Sequence, residues 1–323
     1  MFWGEKGAVL DGENAKSAAF NSSASNVEIH NLRIERYRDN GIRFNGGSGT
    51  WVDRVTVYDT GSGDGEANGA VRFDDAANIK VTDCYFERVS SGVLPTSCTG
   101  PIVIEHNKGL NIGRNMVQLA ACSGAGIRVR FNSMERDGTY VRPGNDDVED
   151  WISVWRGKGL PDDYAEISFN RARGHGPSGS ASFIMLGDGG GEYQRARWNI
   201  GVTPGQVGIG LSGGRFIEVT DNLMYSGTWS NNNIAYYSAN YGSGPCGDHA
   251  VRRNRANWTN RDNISNSFWS DGNCTPLDSS DNIFPDRALD ESIWDDWPKL
   301  VREAQGTAVT PRPWGEVKKG IEP

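Results

Sequence analysis

Short stretches of alternating apolar residues, each closing on Asn or Asp, recur along this chain at about the length of one solenoid turn. The second half shows them best: Glu166-Ile-Ser-Phe-Asn170, Arg195-Ala-Arg-Trp-Asn199, Glu218-Val-Thr-Asp-Asn222 and Ala250-Val-Arg-Arg-Asn254. From Asn to Asn the steps are 29, 23 and 32 residues. The first half repeats the pattern more loosely, in Asn26-Val-Glu-Ile-His-Asn31, Thr50-Trp-Val-Asp53, Ile79-Lys-Val-Thr-Asp83 and Ile127-Arg-Val-Arg-Phe-Asn132. Self-similarity at periods of ~20–50 residues marks a repeat whose single unit cannot bury its own apolar face. The unit here is strand, Asn or Gly turn, strand, which is one coil of a parallel β-helix.

A solenoid has one continuous core, so the 323 residues read as one all-β domain over 1–280 with a C-terminal tail, 281–323. The 42 glycines suit a coil that turns several times per rung. Ala8-Val-Leu10 opens the coils. Past Asp281 the register disappears, and Ser292 to Gln305 has helical apolar spacing, with Pro298 fitting a first helical turn after Asp296. That tail is expected to cover the C-terminal end of the solenoid or lie along its flank. Segments 137–149, 157–164, 226–233 and 257–283 are too long for tight corners and should project as loops, which in solenoids gather on one face.

No apolar run is long enough to span a membrane, and Met1-Phe-Trp-Gly4 is not a signal peptide. Cys98 and Cys122 sit about one coil apart in similar contexts, and Cys246 and Cys274 lie in loop-like sequence. Two possible disulfides favour an oxidising, secreted or periplasmic setting. Cys84 reads as packed core, and no CxxC or His/Cys cluster in the sequence points to zinc. A net charge of −8 argues against a nucleic-acid partner. The chain is expected to be a monomer.

A second strand should precede the Asn-ended one in each coil. The alignment takes Gly41 to Asn45, Ala70 to Asp74, Pro101 to Glu105, Trp151 to Trp155, Phe183 to Gly187, Gly208 to Ser212 and Ile234 to Ser238. Two columns, Ile42/Val71/Ile102/Ile152/Ile184/Ile209 and Phe44/Phe73/Ile104/Val154/Leu186/Leu211, are apolar and read as interior. Between them Arg43, Arg72, Val103, Ser153, Met185, Gly210 and Tyr236 face outward. Just beyond the strands a second strip carries Asp74, Glu105, His106, Trp155, Arg156 and Asp188. The Asn column itself reads as structural, because stacked amides hydrogen-bond from rung to rung.

This strip supplies the candidate chemistry. An Arg can neutralise a substrate carboxylate while a nearby Lys, His or Arg removes the proton alpha to it. Glu105, His106, Arg156, Lys158 and Asp188 are the candidate catalytic set, and Arg72, Trp155, Arg173, His175, Arg197 and Tyr236 the candidate substrate-binding set. The plainer alternative is solvated surface and salt-bridge ladders. The acidic run Asn145 to Asp150 offers Asp146, Asp147 and Glu149 as Ca²⁺ ligands without matching an EF-hand spacing. Paired carboxylates could equally serve a glycoside hydrolase. The 11 Trp and 10 Tyr weigh towards sugar, several lying beside Asn and Gly, as in Trp229-Ser-Asn-Asn-Asn233, Tyr241 and Trp269.

With the coils laid out, residues 5–280 resemble the pectate-lyase-like superfamily of right-handed parallel β-helices. The segment Glu149-Asp-Trp-Ile-Ser-Val-Trp-Arg156, with the Asn170 and Asn199 strands that follow, is loosely similar to the chondroitin/alginate lyase branch. That branch has Lys shortly after its Ile-Ser pair, where this chain has Trp155 with Arg156 and Lys158 close by. Its later Arg-His-Gly stretch would fall near Leu186-Gly-Asp188, which holds no Arg. Of the polygalacturonase set, only Arg156-Gly-Lys158 has a matching spacing. The resemblance implies a secreted lyase acting on a uronic-acid-containing polysaccharide, with a glycoside hydrolase or a non-catalytic glycan-binding solenoid as alternatives.

Overall fold

Period-two alternation sends every second side chain to the same face of a strand, and stacking coil on coil turns those positions into columns. In the computed structural model the described residues are 1–62, 68–137, 150–176, 179–242 and 244–305. Among them the strands form three parallel sheets of 12, 10 and 10 strands, each strand pairing with its counterpart one coil away. Sheet A includes Glu28–His30, Ser48–Asp53 and Thr99–Glu105, and ends at Leu277–Asp278. Sheet B runs from Val9–Asp11 to Arg255–Trp258, and sheet C from Ala18–Ser22 to Phe268–Ser270. One coil passes from sheet C (Asn40–Asn45) to A (Ser48–Asp53) to B (Thr56–Tyr58), then back to C (Gly69–Asp74).

The interior is a set of aliphatic stacks. Ile42, Val71, Val93, Val117, Ile152, Ile184 and Ile209 line sheet C from within, and Ile29, Val52, Val81, Ile104, Val129 and Ile167 line sheet A, all fully or almost fully buried. Sheets A and B meet at a corner that repeats in every coil: a left-handed residue followed by a buried one. The left-handed residues include Asp83, His106, Phe131, Phe169, Trp198, Asp221 and Arg253, with φ between 53° and 60°. Few non-glycine residues adopt that region willingly. Here the following position holds them, because Asn107, Asn132, Asn170, Asn199, Asn222 and Asn254 form a continuous amide ladder. In each step Oδ1 of one Asn accepts from the backbone N–H and the Nδ2 of its predecessor at 2.9–3.1 Å. Cys84 takes the equivalent slot at one end, its N–H donating to Asn107, and Asn282 takes it at the other.

The tail lies along the flank. A short 3-10 turn, Glu291–Trp294, and a helix, Trp297–Gln305, pack Leu289, Ile293, Trp294, Trp297 and Val301 onto Phe131, Phe169, Ile200 and Val202. The Trp297 indole donates to the Phe169 carbonyl, and the buried Arg171 guanidinium sits over the Trp294 and Trp297 rings. Desolvation lowers the Arg171 pKa to about 10.

Three expectations are corrected. Pro101 to Glu105 belongs to sheet A, paired with the strands at Ile79 and Ile127; sheet C of that coil is Val93–Thr96. An apolar-x-apolar pattern is common to all faces of a solenoid, so it cannot tell them apart. Tyr236 aligns with Ile209 rather than Gly210 and is fully buried. The one-residue slip exchanges the two faces and makes Tyr237 the outward tyrosine. Finally, only Cys246–Cys274 is a disulfide. Cys98 and Cys122 are free, buried thiols directed at backbone carbonyls.

Candidate functional site

The outer face of sheet C gathers the residues best suited to a ligand. Strand pairing lines up Arg43, Arg72, Leu94, Gln118, Ser153, Met185, Gly210, Tyr237 and Trp269 as a single outward column along the solenoid. At one end the Arg43 and Arg72 guanidiniums share the carboxylate of Asp74, with Nε–O distances of 3.2 Å and 2.8–2.9 Å. The strip beside the column places Asp74, Trp155 and Asp188 on the same face.

At the other end is a cleft of about 590 Å³, walled by Met185, Tyr237, Tyr241 and Trp269 and rimmed by the amides of Gln206, Asn233 and Asn266. Gly210 lies under the Tyr237 ring, where a Cβ would come within 2.5 Å of it, so the missing side chain lets the ring lie flat on the sheet. The Tyr237 hydroxyl is fixed by Ser212 at 2.6 Å. Burial, chiefly, and the charges of Asp150 and Asp188 keep that phenol protonated far beyond neutral pH. Flat aromatic faces beside amide groups are the surface a pyranose ring uses, apolar face against ring and hydroxyls to amides.

His175 belongs to the connection that leads into the cleft strand Ser182–Asp188, and Trp229 to the one that leads into Ile234–Ser238. The two rings stack 3.6 Å apart. His175 Nδ1 faces the Gly176 carbonyl at 3.0 Å; a carbonyl only accepts, so Nδ1 carries the proton and Nε2 the lone pair. Desolvation lowers the His175 pKa, so the ring is neutral at pH 7.

The sequence-derived set divides over several faces. Arg156, Lys158, Asp188, Trp155 and Arg72 belong to sheet C or its corner with sheet A. There Arg156 N–H donates to the Asp188 carbonyl at 2.8 Å, its guanidinium lies over Trp155, and Lys158 is 3.8 Å from Glu192. Glu105 and His106 lie elsewhere, at the end of sheet A and on the A–B corner. Glu105 is paired with Arg130, and His106 stacks flat on Phe131 at 4.9 Å. They are not brought together with Arg156. Arg197 lies on sheet A, bound to Glu166 and over Trp198. Arg173 lies on sheet B against Glu135 and Trp294, beside the tail. Tyr236 is core. Asp146, Asp147 and Glu149 lie outside the described residues. The sequence reading missed Tyr237, Gln206 and Asn266; the Tyr236-Tyr237 doublet was the available signal, read one residue out of register.

Among the described residues no helix is long and apolar enough to cross a membrane. Residues 8–135 match the sequence family described as right handed beta helix region. No curated protein matches the chain. Among solved structures, a GH136 lacto-N-biosidase from Eubacterium ramulus is 12% identical with a TM-score of 0.46; the similarity covers 81% of this chain and 51% of that one. The chain thus spans about half the length of that protein. An alginate lyase from Paenibacillus sp. is 11% identical with a TM-score of 0.37, over 80% of this chain and 99% of that one. With its three parallel sheets and the family match over residues 8–135, this chain folds as a right-handed parallel β-helix.

Proposed function

We propose that the chain is a secreted polysaccharide-active enzyme that seats its glycan along the outer face of sheet C, and that it cleaves a uronic-acid-containing polysaccharide by β-elimination. The observation that carries the reading is the single column with guanidiniums at one end and an aromatic, amide-rimmed cleft at the other. From Arg72 to Trp269 it spans seven rungs, roughly 34 Å at the usual strand spacing, enough for several sugar rings. Arg43 and Arg72 supply positive charge for uronate carboxylates. His175 is the base candidate, since a neutral imidazole with a free Nε2 can accept the proton alpha to a carboxylate. The disulfide accords with an oxidising compartment.

A hydrolase is the second reading, favoured by Asp150 and Asp188, two carboxylates near enough to Tyr237 to act on its phenol. Incubation with alginate, pectate, glucuronan and glycosaminoglycans separates the outcomes. Elimination raises the ultraviolet absorbance of an unsaturated uronate. Reducing ends without that absorbance select the hydrolase, and binding without turnover selects a glycan-binding solenoid.

A further inference from the structure

Away from sheet C, the last two coils bring together three side chains that no spacing in the sequence marks as a set. The sulfurs of Cys246 and Cys274 and a ring nitrogen of His249 all lie within 4.8 Å of one another, and among the described residues no other such group of three occurs. We propose that reduction of the Cys246–Cys274 bridge turns this corner into a binding site for a thiophilic divalent cation of the zinc class, held by both thiolates and the His249 imidazole.

The two cysteines are 4.5 Å apart at Cα, so side-chain rotation alone can open the sulfurs to the ~3.8 Å edge of a tetrahedron with ~2.3 Å metal–sulfur bonds. His249 is 3% exposed. Its Nε2 meets the Gly214 carbonyl at 3.0 Å and its Nδ1 the Ser238 hydroxyl at 3.2 Å. A carbonyl only accepts, so Nε2 carries the proton and Nδ1 the lone pair. Ligating histidines commonly donate their other N–H to such a backbone carbonyl, which fixes the tautomer. Desolvation lowers the His249 pKa, keeping the ring in its ligating, neutral form. Water or the Ser238 hydroxyl is left for the fourth position.

The location gives the site a purpose. Cys246 opens the short sheet A strand Cys246–Gly247 and Cys274 precedes Leu277–Asp278, where strand pairing is sparse. A cross-link there ties the final coils together. Once the bridge is reduced that tie is lost, and a bound cation restores it. The steps balance. A phosphine reductant takes the disulfide to two thiols, consuming two electrons and two protons and becoming the phosphine oxide with water's oxygen. The cation then displaces one proton from each thiol.

The full chain, reduced with a water-soluble phosphine, is titrated with Co²⁺ under anaerobic conditions. The expected result is one cobalt per chain, with a thiolate charge-transfer band and tetrahedral ligand-field bands. Oxidised protein and reduced Cys274→Ser should lack them, Cys98→Ser should keep them, and His249→Gln should weaken binding by roughly tenfold or more. A folded, reduced chain without the bands, or bands that survive in Cys274→Ser, overturns the proposal. Should reduction loosen the coils, Zn²⁺ present during reduction must restore the melting temperature towards that of the oxidised protein. Reduced protein that melts equally low with and without Zn²⁺ also overturns it.

Discussion

Asn170 illustrates how much one side chain carries here. Its Oδ1 accepts from the Asn132 N–H and Nδ2, while its own Nδ2 donates to the Val129 carbonyl and to Asn199 Oδ1. Truncation leaves several fully buried groups unpaired, each worth about 1–3 kcal/mol. Asn170→Ala should therefore lower stability by about 3 kcal/mol or more in urea melts, far beyond a surface Asn such as Asn273. The adjacent tyrosines offer a sharper contrast. Tyr236→Phe loses the buried hydroxyl that is shared between the Asn222 carbonyl at 3.0 Å and the Arg255 carbonyl at 3.3 Å, and should cost about 1 kcal/mol of stability with glycan affinity unmoved. Tyr237→Ala removes the cleft wall and should weaken oligosaccharide binding about tenfold, read by calorimetry on the two folded variants. Equal effects from both would remove Tyr237 from the site.

At the scale of elements, the C-terminal helix is fastened by two tryptophans rather than by its own propensity. A nine-residue helix is marginal alone, and Trp297 is 3% exposed, so Trp297→Ala should cost about 3–5 kcal/mol at that contact. Hydrogen exchange should then show residues 286–305 released while the Asn-ladder amides stay protected; simultaneous loss of both would mean that tail and coils form one cooperative unit. Such a packed flank was legible in outline, because the loss of coil register past Asp281 and the helical spacing after Ser292 are properties of the chain itself. The coils were legible for the same reason, and so was the Asn ladder, whose members recur at coil length. Which of three faces a strand joins was not. Pro101 to Glu105 alternates as a sheet C strand does, and only pairing with its neighbours assigns it to sheet A. His106 and Arg156 share a further disguise. Both are left-handed corner residues, but of different corners, and neither His nor Arg is a residue type that marks that backbone conformation.

For the whole molecule, acid sensitivity follows from the buried imidazoles. Desolvation lowers the pKa of both His175 and His249, with the Gly176 and Gly214 carbonyls opposing it. A depressed histidine binds fewer protons folded than unfolded, so its contribution to stability is complete above the unfolded value of about 6.5 and is lost as pH falls below it. Burial raises Asp163 and Glu166, but hydrogen bonds and positive charge together lower both, from Arg128 and the Gly126 N–H at Asp163 and from Ser168, Arg197 and Arg130 at Glu166. Their loss belongs to a separate window, below about pH 4.5. Urea midpoints measured from pH 8 to 3 should thus fall in two steps. The upper step should shrink in a His249→Gln chain and persist partly through His175. The same upper step bears on catalysis: if His175 is the base, kcat/KM should fall on the acid side over the window in which its imidazole protonates, and His175→Gln should abolish that limb while the stability step assigned to His249 remains. A pH–rate profile that is flat through this range in the native chain would remove His175 from the chemistry and leave the sheet C cleft as a binding surface only.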